Sequence, residues 1–267
     1  MHLSSFIGHL NEISAYAFYN CQQLRNIDLI NVYSIGNSAF EYCAFSSLSL
    51  FGLSTIGVSV FYGCSSLSMF SYFGAGNANR FHLLGTGMFQ QCSSLYSISA
   101  SRASFVSQSC FCYCKSLTNI YMPLVSWIGS YAFYTTGLTN ITSTTLSSCL
   151  AVSYYAFAYC SKITGISMYS LSSIGQRAFE GCTSLTTARV SRCLYIGSYA
   201  FYSCSKLSSI YINTNVSSQI CTLANSNAFL GTLITSSTGR IVVPNALRAS
   251  YKAAANWAYF SNRIYSN

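Results

Sequence analysis

Thirteen cysteines, four carboxylates and three histidines are the residues of this 267-residue chain best suited to hold a metal, move a proton or attack as a nucleophile. Their spacing decides which of these they can do. Eight cysteines, Cys21, Cys43, Cys64, Cys92, Cys114, Cys160, Cys182 and Cys204, each follow a phenylalanine by three residues. Residues that recur in this way are expected to stack as a ladder inside a repeating structure, where a free thiol behaves as a small hydrophobe. Parallel side chains on adjacent rungs seldom offer the disulfide dihedral, so reduced thiols are predicted. The one local cluster is CFCYC, Cys110 to Cys114. Cys110 falls where other units carry alanine, Cys114 belongs to the ladder, and no histidine is nearby, so no metal site and no cofactor are assigned.

The acids are Glu12, Asp28, Glu41 and Glu180. Glu41 and Glu180 share the position just after the phenylalanine, where they are expected to point outward. No two acids come close in the array, which excludes a glycosidase-type carboxylate pair. His2, His9 and His82 are scattered, Asp28 is the single aspartate, and the serines follow repeat positions, so no Ser-His-Asp site is assembled. No phosphate-binding glycine loop is present. No catalytic residue is assigned, and the chain reads as a non-enzyme.

The elements that must position these residues are repeats. The phrase IGSYAFYSC, Ile196 to Cys204, returns as ISAYAFYNC, IGNSAFEYC and IGQRAFEGC at Ile13, Ile35 and Ile174. Aligned on its phenylalanine, the phrase places Phe at 18, 40, 61, 89, 111, 133, 157, 179, 201 and 229, a unit of about 22 residues with two longer steps. The second half of each unit reads LRNIDL, LTNIYM, ITGISM or LSSIYI, from Leu24, Leu117, Ile163 and Leu207. Its apolar-polar-apolar ending suits a short half-buried strand, two side chains in and one out. Stacked coils pair one such strand each into a parallel sheet, roughly 45 to 50 Å long at about 4.8 Å per rung. The IGxxAFxxC half does not alternate, so a tight 3₁₀-like turn is predicted on the opposite face. Two units, at Cys43 to Phe45 and Thr136 to Leu138, are one residue short and predict local bulges; GAGNANR, Gly74 to Arg80, predicts a protruding loop.

Charged residues are only 6% of the chain, against roughly 25% in an ordinary soluble domain, while aromatics reach 16%. The surface must therefore be built from Ser, Thr, Asn and Tyr. The net charge of +9 is uneven: beyond residue 181 there are seven basic residues (Arg189, Arg192, Lys206, Arg240, Arg248, Lys252, Arg263) and no acid. No run of adjacent Lys or Arg exists, so nucleic acid is not an expected partner. No stretch approaches the roughly 18 apolar residues of a membrane span, and membrane insertion is not expected.

The LxxIxL pattern followed by IGxxAFxxC resembles the BspA-like leucine-rich repeats of bacterial cell-surface and secreted proteins, over about residues 3 to 243. The tail GRIVVPNALRASYKAAANWAYFSNRI resembles the segment that closes such arrays. The resemblance implies a curved leucine-rich-repeat solenoid, residues 1–243, closed by a C-terminal helical cap, residues 244–267, and a role in adhesion or recognition outside the cell. Leu247, Tyr251 and Ala254 share a helical face, with Trp257 and Phe260 following, and are predicted to cover the last coil. The chain opens inside a repeat with neither a secretion signal nor a cap, as a piece of a longer protein would. Phe6 and Ile13 are expected to be exposed at that end and to favour an end-to-end dimer through the uncapped coil.

Surface recognition is what remains. Outward strand positions run Asp28, Ser49, Ser71, Ser99, Tyr121, Thr142, Ser167, Arg189, Tyr211, and next Ile30, Phe51, Phe73, Ser101, Pro123, Thr144, Tyr169, Ser191, Asn213. Aromatic platforms among hydroxyls suit protein contacts or sugar stacking, and Phe51, Phe73, Tyr121, Tyr169, Arg189 and Tyr211 are the candidate ligand-binding residues. The bland alternative is a solvated sheet face. Tyrosines on the turn side, Tyr16, Tyr131, Tyr155 and Tyr199 with Tyr19, Tyr62, Tyr134 and Tyr202, read as a packing ladder. Sequons at Asn140 and Asn215 match glycosylation acceptors, a pattern short enough to arise by chance. The leading expectation is a non-enzymatic extracellular or surface module binding a protein or other macromolecule through its strand face. A carbohydrate-binding accessory module of a larger protein and a structural spacer are the alternatives.

Overall fold

The computed structural model describes residues 5–6, 10–73, 83–142, 144–212, 219–236 and 238–267, with the side chains of residues 5, 6, 73 and 83 outside the description. The Gly74 to Arg80 loop, His2, His9, His82, Asn213 and Asn215 lie outside it too, as does the side chain of Phe6.

The chain winds into a parallel-strand solenoid. One face carries the strands that end each unit: Ser47–Phe51, Met69–Phe73, Ser97–Ser99 and Asn119–Tyr121 form one sheet. Asn140–Ile141, Gly165–Ser167, Thr187–Arg189, Ser209–Tyr211, Arg240–Val243 and Ile264–Ser266 form the next. Burial alternates along most of these strands, as in Asn119–Tyr121, where Ile120 is buried between exposed neighbours; in Arg240–Val243 the three residues after Arg240 are all buried. The ladder is interrupted before Ser47–Phe51 and before Asn140–Ile141. These are the strands of the two shortened units. Losing one residue at the corner brings Phe45 and Leu138 forward into the leucine position, both fully buried, and the following strand then enters out of step with the preceding coil.

A second ladder, absent from the sequence reading, lies on another face. The start of each turn phrase contributes a two-residue strand, and Leu83–Leu84, Phe105–Val106, Trp127–Ile128, Ala151–Val152, Ser173–Ile174, Tyr195–Ile196 and Thr222–Leu223 pair in register. Each coil thus carries two strand segments, of which two residues are too few to leave an alternation signature. Ile13, in the corresponding segment Glu12–Ile13, is buried rather than exposed, because Ile35 on the next coil pairs with it.

The AF segment is a turn with two sets of amide donors. Ala132 and Tyr134 donate to carbonyls three residues back, the 3₁₀-like pattern. Tyr131, Phe133 and Thr135 donate instead to Tyr154, Ala156 and Ala158 of the next coil at 2.7–3.0 Å. Alternating donors in this way requires left-handed backbone at the residues two before and two after the phenylalanine, as at Tyr131 and Thr135 with φ of 58° and 56°. For a non-glycine residue that conformation costs roughly 1–2 kcal/mol, which the inter-coil hydrogen bonds offset.

Ten phenylalanines fill the interior as one stack from Phe18 to Phe229. Successive rings lie 5.0–5.7 Å apart with interplanar angles of 1–19°. The cap ends the stack: Phe260 meets Phe229 edge-on at 5.5 Å and Trp257 lies 6.2 Å away. Tyr251, Trp257 and Phe260 are buried, with Leu247 and Ala254 packed against the core. The cap's α-helix is one short segment, Arg248–Ala253, between 3₁₀ turns, and the chain then returns as Ile264–Ser266 to extend the strand-face sheet beside Arg240–Val243. Among the described residues no helix is long and apolar enough to cross a membrane.

Phe133→Ala removes a ring with neighbours on both sides and is expected to cost about 3–5 kcal/mol in urea denaturation. A loss below about 1 kcal/mol would show that the stack does not support the coils.

Candidate functional site

The cysteine ladder is built into the stack. The thiols of Cys43, Cys64, Cys92, Cys114, Cys160, Cys182 and Cys204 each donate to the carbonyl of the phenylalanine in the preceding coil, at 3.0–3.3 Å. The same carbonyl already accepts the ladder amide of its own coil, as Phe157 does from Cys160. A small donor that tolerates apolar surroundings suits this position. Where Thr136 replaces cysteine, its hydroxyl lies 3.1 Å from the sulfur of Cys160. All thirteen cysteines, Cys21 included, are buried and unbridged.

Burial pushes the thiols of Cys43 and Cys149 up to about 12 and those of Cys112 and Cys160 up to about 11. It raises Cys64, Cys92, Cys110, Cys114 and Cys182 well above the ordinary range. Neutral buried thiols make poor nucleophiles and poor metal ligands. Among the described residues no three His, Cys, Asp or Glu side chains converge as a metal site. Cys221 seats the cap through its backbone, its amide donating to the Tyr251 hydroxyl at 2.8 Å and its carbonyl accepting from the Trp257 indole at 2.6 Å.

The acids stay apart. Glu12 accepts from the Tyr33 hydroxyl, and Asp28 from the amide of Ile30. Glu180, expected outward, is only 3% exposed. Arg177 donates to one of its oxygens at 2.7 Å and the Tyr159 hydroxyl to the other at 2.6 Å, so neighbours supply the partners that water would have given. That hydrogen bond is the main reason the Tyr159 phenol is raised, with burial second. Arg177 also lies over the Tyr199 ring at 4.5 Å.

The two aromatic faces differ. On the turn face Tyr113, Tyr131, Tyr134, Tyr154, Tyr155 and Tyr159 are in ring contact, with Tyr131 and Tyr155 stacked at 5.2 Å. Tyr121, on the strand face, is 51% exposed; Tyr169, expected at an outward strand position, lies instead in the turn two residues past the strand Gly165–Ser167 and is 50% exposed, and among the described residues neither ring meets another. Phe51 is 38% exposed and pairs in register with Phe73, whose side chain lies outside the description. Arg189 and Tyr211 pair in register, with the guanidinium 4.8 Å from the ring centre. The candidates thus do not converge: Phe51 and Tyr121 belong to one sheet segment, Arg189 and Tyr211 to another, and Tyr169 lies past the end of its strand.

Other exposed residues escaped the sequence reading. Phe105, Trp127 and Tyr195 stand exposed on the second ladder, Phe105 and Trp127 on paired strands. Aligning the residue before the apolar residue that opens each turn phrase, here Val106, Ile128 and Ile196, would have found them. Tyr265 comes onto the strand face by the return of the tail, and Arg240 lies over its ring at 5.6 Å. No repeat position foretells either.

The repeats match the BspA type leucine rich repeat region, in six copies over residues 4–118 and 126–249. The chain belongs to that family. Among solved structures, a leucine-rich repeat protein from Bacteroides ovatus is 22% identical, with a TM-score of 0.46, over 98% of this chain and 83% of its own. A leucine rich cell surface protein from Faecalibacterium prausnitzii is 16% identical (TM-score 0.38; 94% and 79% covered), and the pneumococcal vaccine antigen PcpA 14% identical (0.38; 96% and 75%). No curated protein matches this BspA-type chain.

The raised thiols give the pH dependence a sign. The folded chain keeps protons that the unfolded chain loses, so this contribution is complete below the unfolded thiol value of about 8.5 and is lost as pH rises towards 11–12. Thermal midpoints should hold level from neutral pH to about 8 and fall steadily above 9. An aromatic disulfide reagent at pH 8 should label thiols only slowly in the native protein and all thirteen in urea. Rapid native labelling would contradict the sealed ladder.

Proposed function

We propose that this BspA-type chain is a non-enzymatic recognition module of an extracellular or surface-attached bacterial protein, binding a macromolecular ligand through its strand face. The observation that carries the reading is the contrast between faces. Turn-face tyrosines are engaged with one another, whereas Tyr121 stands half exposed on a parallel sheet and Tyr169 half exposed just past the strand Gly165–Ser167, neither with a ring partner among the described residues. A ring held by a rigid sheet, as Tyr121 is, loses little conformational freedom when a ligand covers it, which favours affinity. The buried thiols and separated acids offer no acid-base pair and no activated nucleophile, in keeping with recognition rather than catalysis. Family membership supports placement outside the cell, the setting in which the cell-surface protein from Faecalibacterium prausnitzii is described.

The test is binding of the purified chain to an array of extracellular-matrix proteins and glycans, repeated with Tyr121→Ala and Tyr169→Ala. A ligand of the strand face is expected to weaken about ten-fold or more with at least one of them. Full binding by both, with loss on substituting Tyr113 or Tyr154 of the turn face, would overturn the assignment.

A further inference from the structure

The C-terminal end of the strand face differs from the rest in charge and in how it is assembled. Four neighbouring strands, Thr187–Arg189, Ser209–Tyr211, Arg240–Val243 and Ile264–Ser266, lie in sequence order across the sheet. Pairing sets Arg189 beside Tyr211, Tyr211 beside Val242 and Val242 beside Tyr265, one column over three rung spacings, about 14 Å. Arg240, from the same strand as Val242, reaches the Tyr265 ring. Two guanidiniums and two phenol rings therefore alternate over four strands, Arg-Tyr-Arg-Tyr.

No salt bridge to either arginine is found among the described residues, and no acidic side chain occurs after residue 180. Both guanidiniums are exposed, and stacking on a ring leaves the N–H groups at the guanidinium's edge able to donate to an oxyanion. The flanking positions Ser167, Thr187 and Ser209 supply partly exposed hydroxyls.

We propose that this column binds an acidic polysaccharide, whose carboxylates or sulfates pair with Arg189 and Arg240 while its sugar rings lie on Tyr211 and Tyr265. Rings and hydroxyls on a flat sheet suit the faces of pyranose rings and their hydroxyl edges. Guanidiniums separated by an intervening strand suit anionic groups spaced along a glycan. A nucleic-acid backbone carries a charge at every nucleotide and calls for a denser basic track. The proposal rests on the reading of the strand face as the recognition surface and names the ligand class at one end of it.

The experiment uses the whole chain against immobilised heparin, which carries sulfates, polygalacturonate, which carries carboxylates only, neutral dextran, and polyglutamate. Wild-type protein is expected to bind heparin, polygalacturonate or both, in a salt-sensitive way, and to ignore dextran. The relative strength of the first two tells which anion is preferred. The Arg189→Gln/Arg240→Gln double variant should bind about ten-fold more weakly or worse. Arg25→Gln/Lys162→Gln, which removes the same charge at exposed positions elsewhere, should stay within about two-fold. Tyr211→Ala should weaken binding without changing its salt dependence. Equal losses in the two double variants, equal binding to dextran, preference for polyglutamate, or no polysaccharide binding by the wild type would each overturn the proposal. The broader reading stands or falls separately, on whether a ligand sensitive to Tyr121→Ala or Tyr169→Ala is found.

Discussion

A stack of phenylalanine rings sets the pitch of this molecule, and everything else is fitted to it. Rings 5.0–5.7 Å apart and nearly parallel are compatible with coils spaced at a parallel-sheet rung and little else. At that spacing the turn amides of one coil reach the carbonyls of the next, which is why Tyr131 and Thr135 tolerate left-handed backbone. The phenylalanine carbonyls, crowded by the turn, accept a thiol from the following coil, and cysteine fits there where a larger donor would not. Ring, amide and thiol ladders are thus three expressions of one spacing. Each coil contacts mainly its neighbours, so the array has to be closed, and Trp257 and Phe260 do this by covering the last ring.

The same spacing determines what the surface can offer. Residues at one repeat position come together whether or not they face solvent, so tyrosines on the turn face pack into a continuous cluster around the Arg177–Glu180 pair. Strand-face positions vary from coil to coil, and there Tyr121 stands apart from other rings. A chain with 6% charged residues has few electrostatic features, which gives weight to those it has. Its basic C-terminal coils place Arg189 and Arg240 on a sheet face with no acidic side chain after residue 180.

Most of the scaffold was legible because repetition turns a weak local signal into a strong one. The phenylalanine and cysteine positions, the strand with its inward pair, and the places where the ladder is interrupted all follow from aligning units, the last from a single missing residue before Phe45 and Leu138. What was illegible either did not repeat or was too short. The two-residue second ladder carries no alternation, so Trp127 and Phe105 went unnoticed and Ile13 was expected at an exposed end. Glu180 was placed outward by its repeat position, but a local arginine and a tyrosine from the preceding coil enclose it. Tyr265 reaches the strand face through the fold of the cap, a tertiary event outside the repeat. Of the candidate residues, the strand positions of Tyr121, Arg189 and Tyr211 were readable from periodicity, while the turn position of Tyr169 and the pairing of Arg240 with Tyr265 were not.

Native-state amide hydrogen exchange, followed residue by residue by NMR, tests the common spacing most directly. If ring stack and turn amides form one ladder, the amides of Tyr131, Phe133, Thr135, Tyr155 and Phe157 will exchange as slowly as those of the strand residues Ile120 and Ile166. Exchange of these turn amides at the rate of unprotected peptide, beside protected strands, would show that the turns are not bonded from coil to coil and that the phenylalanine stack does not set the pitch.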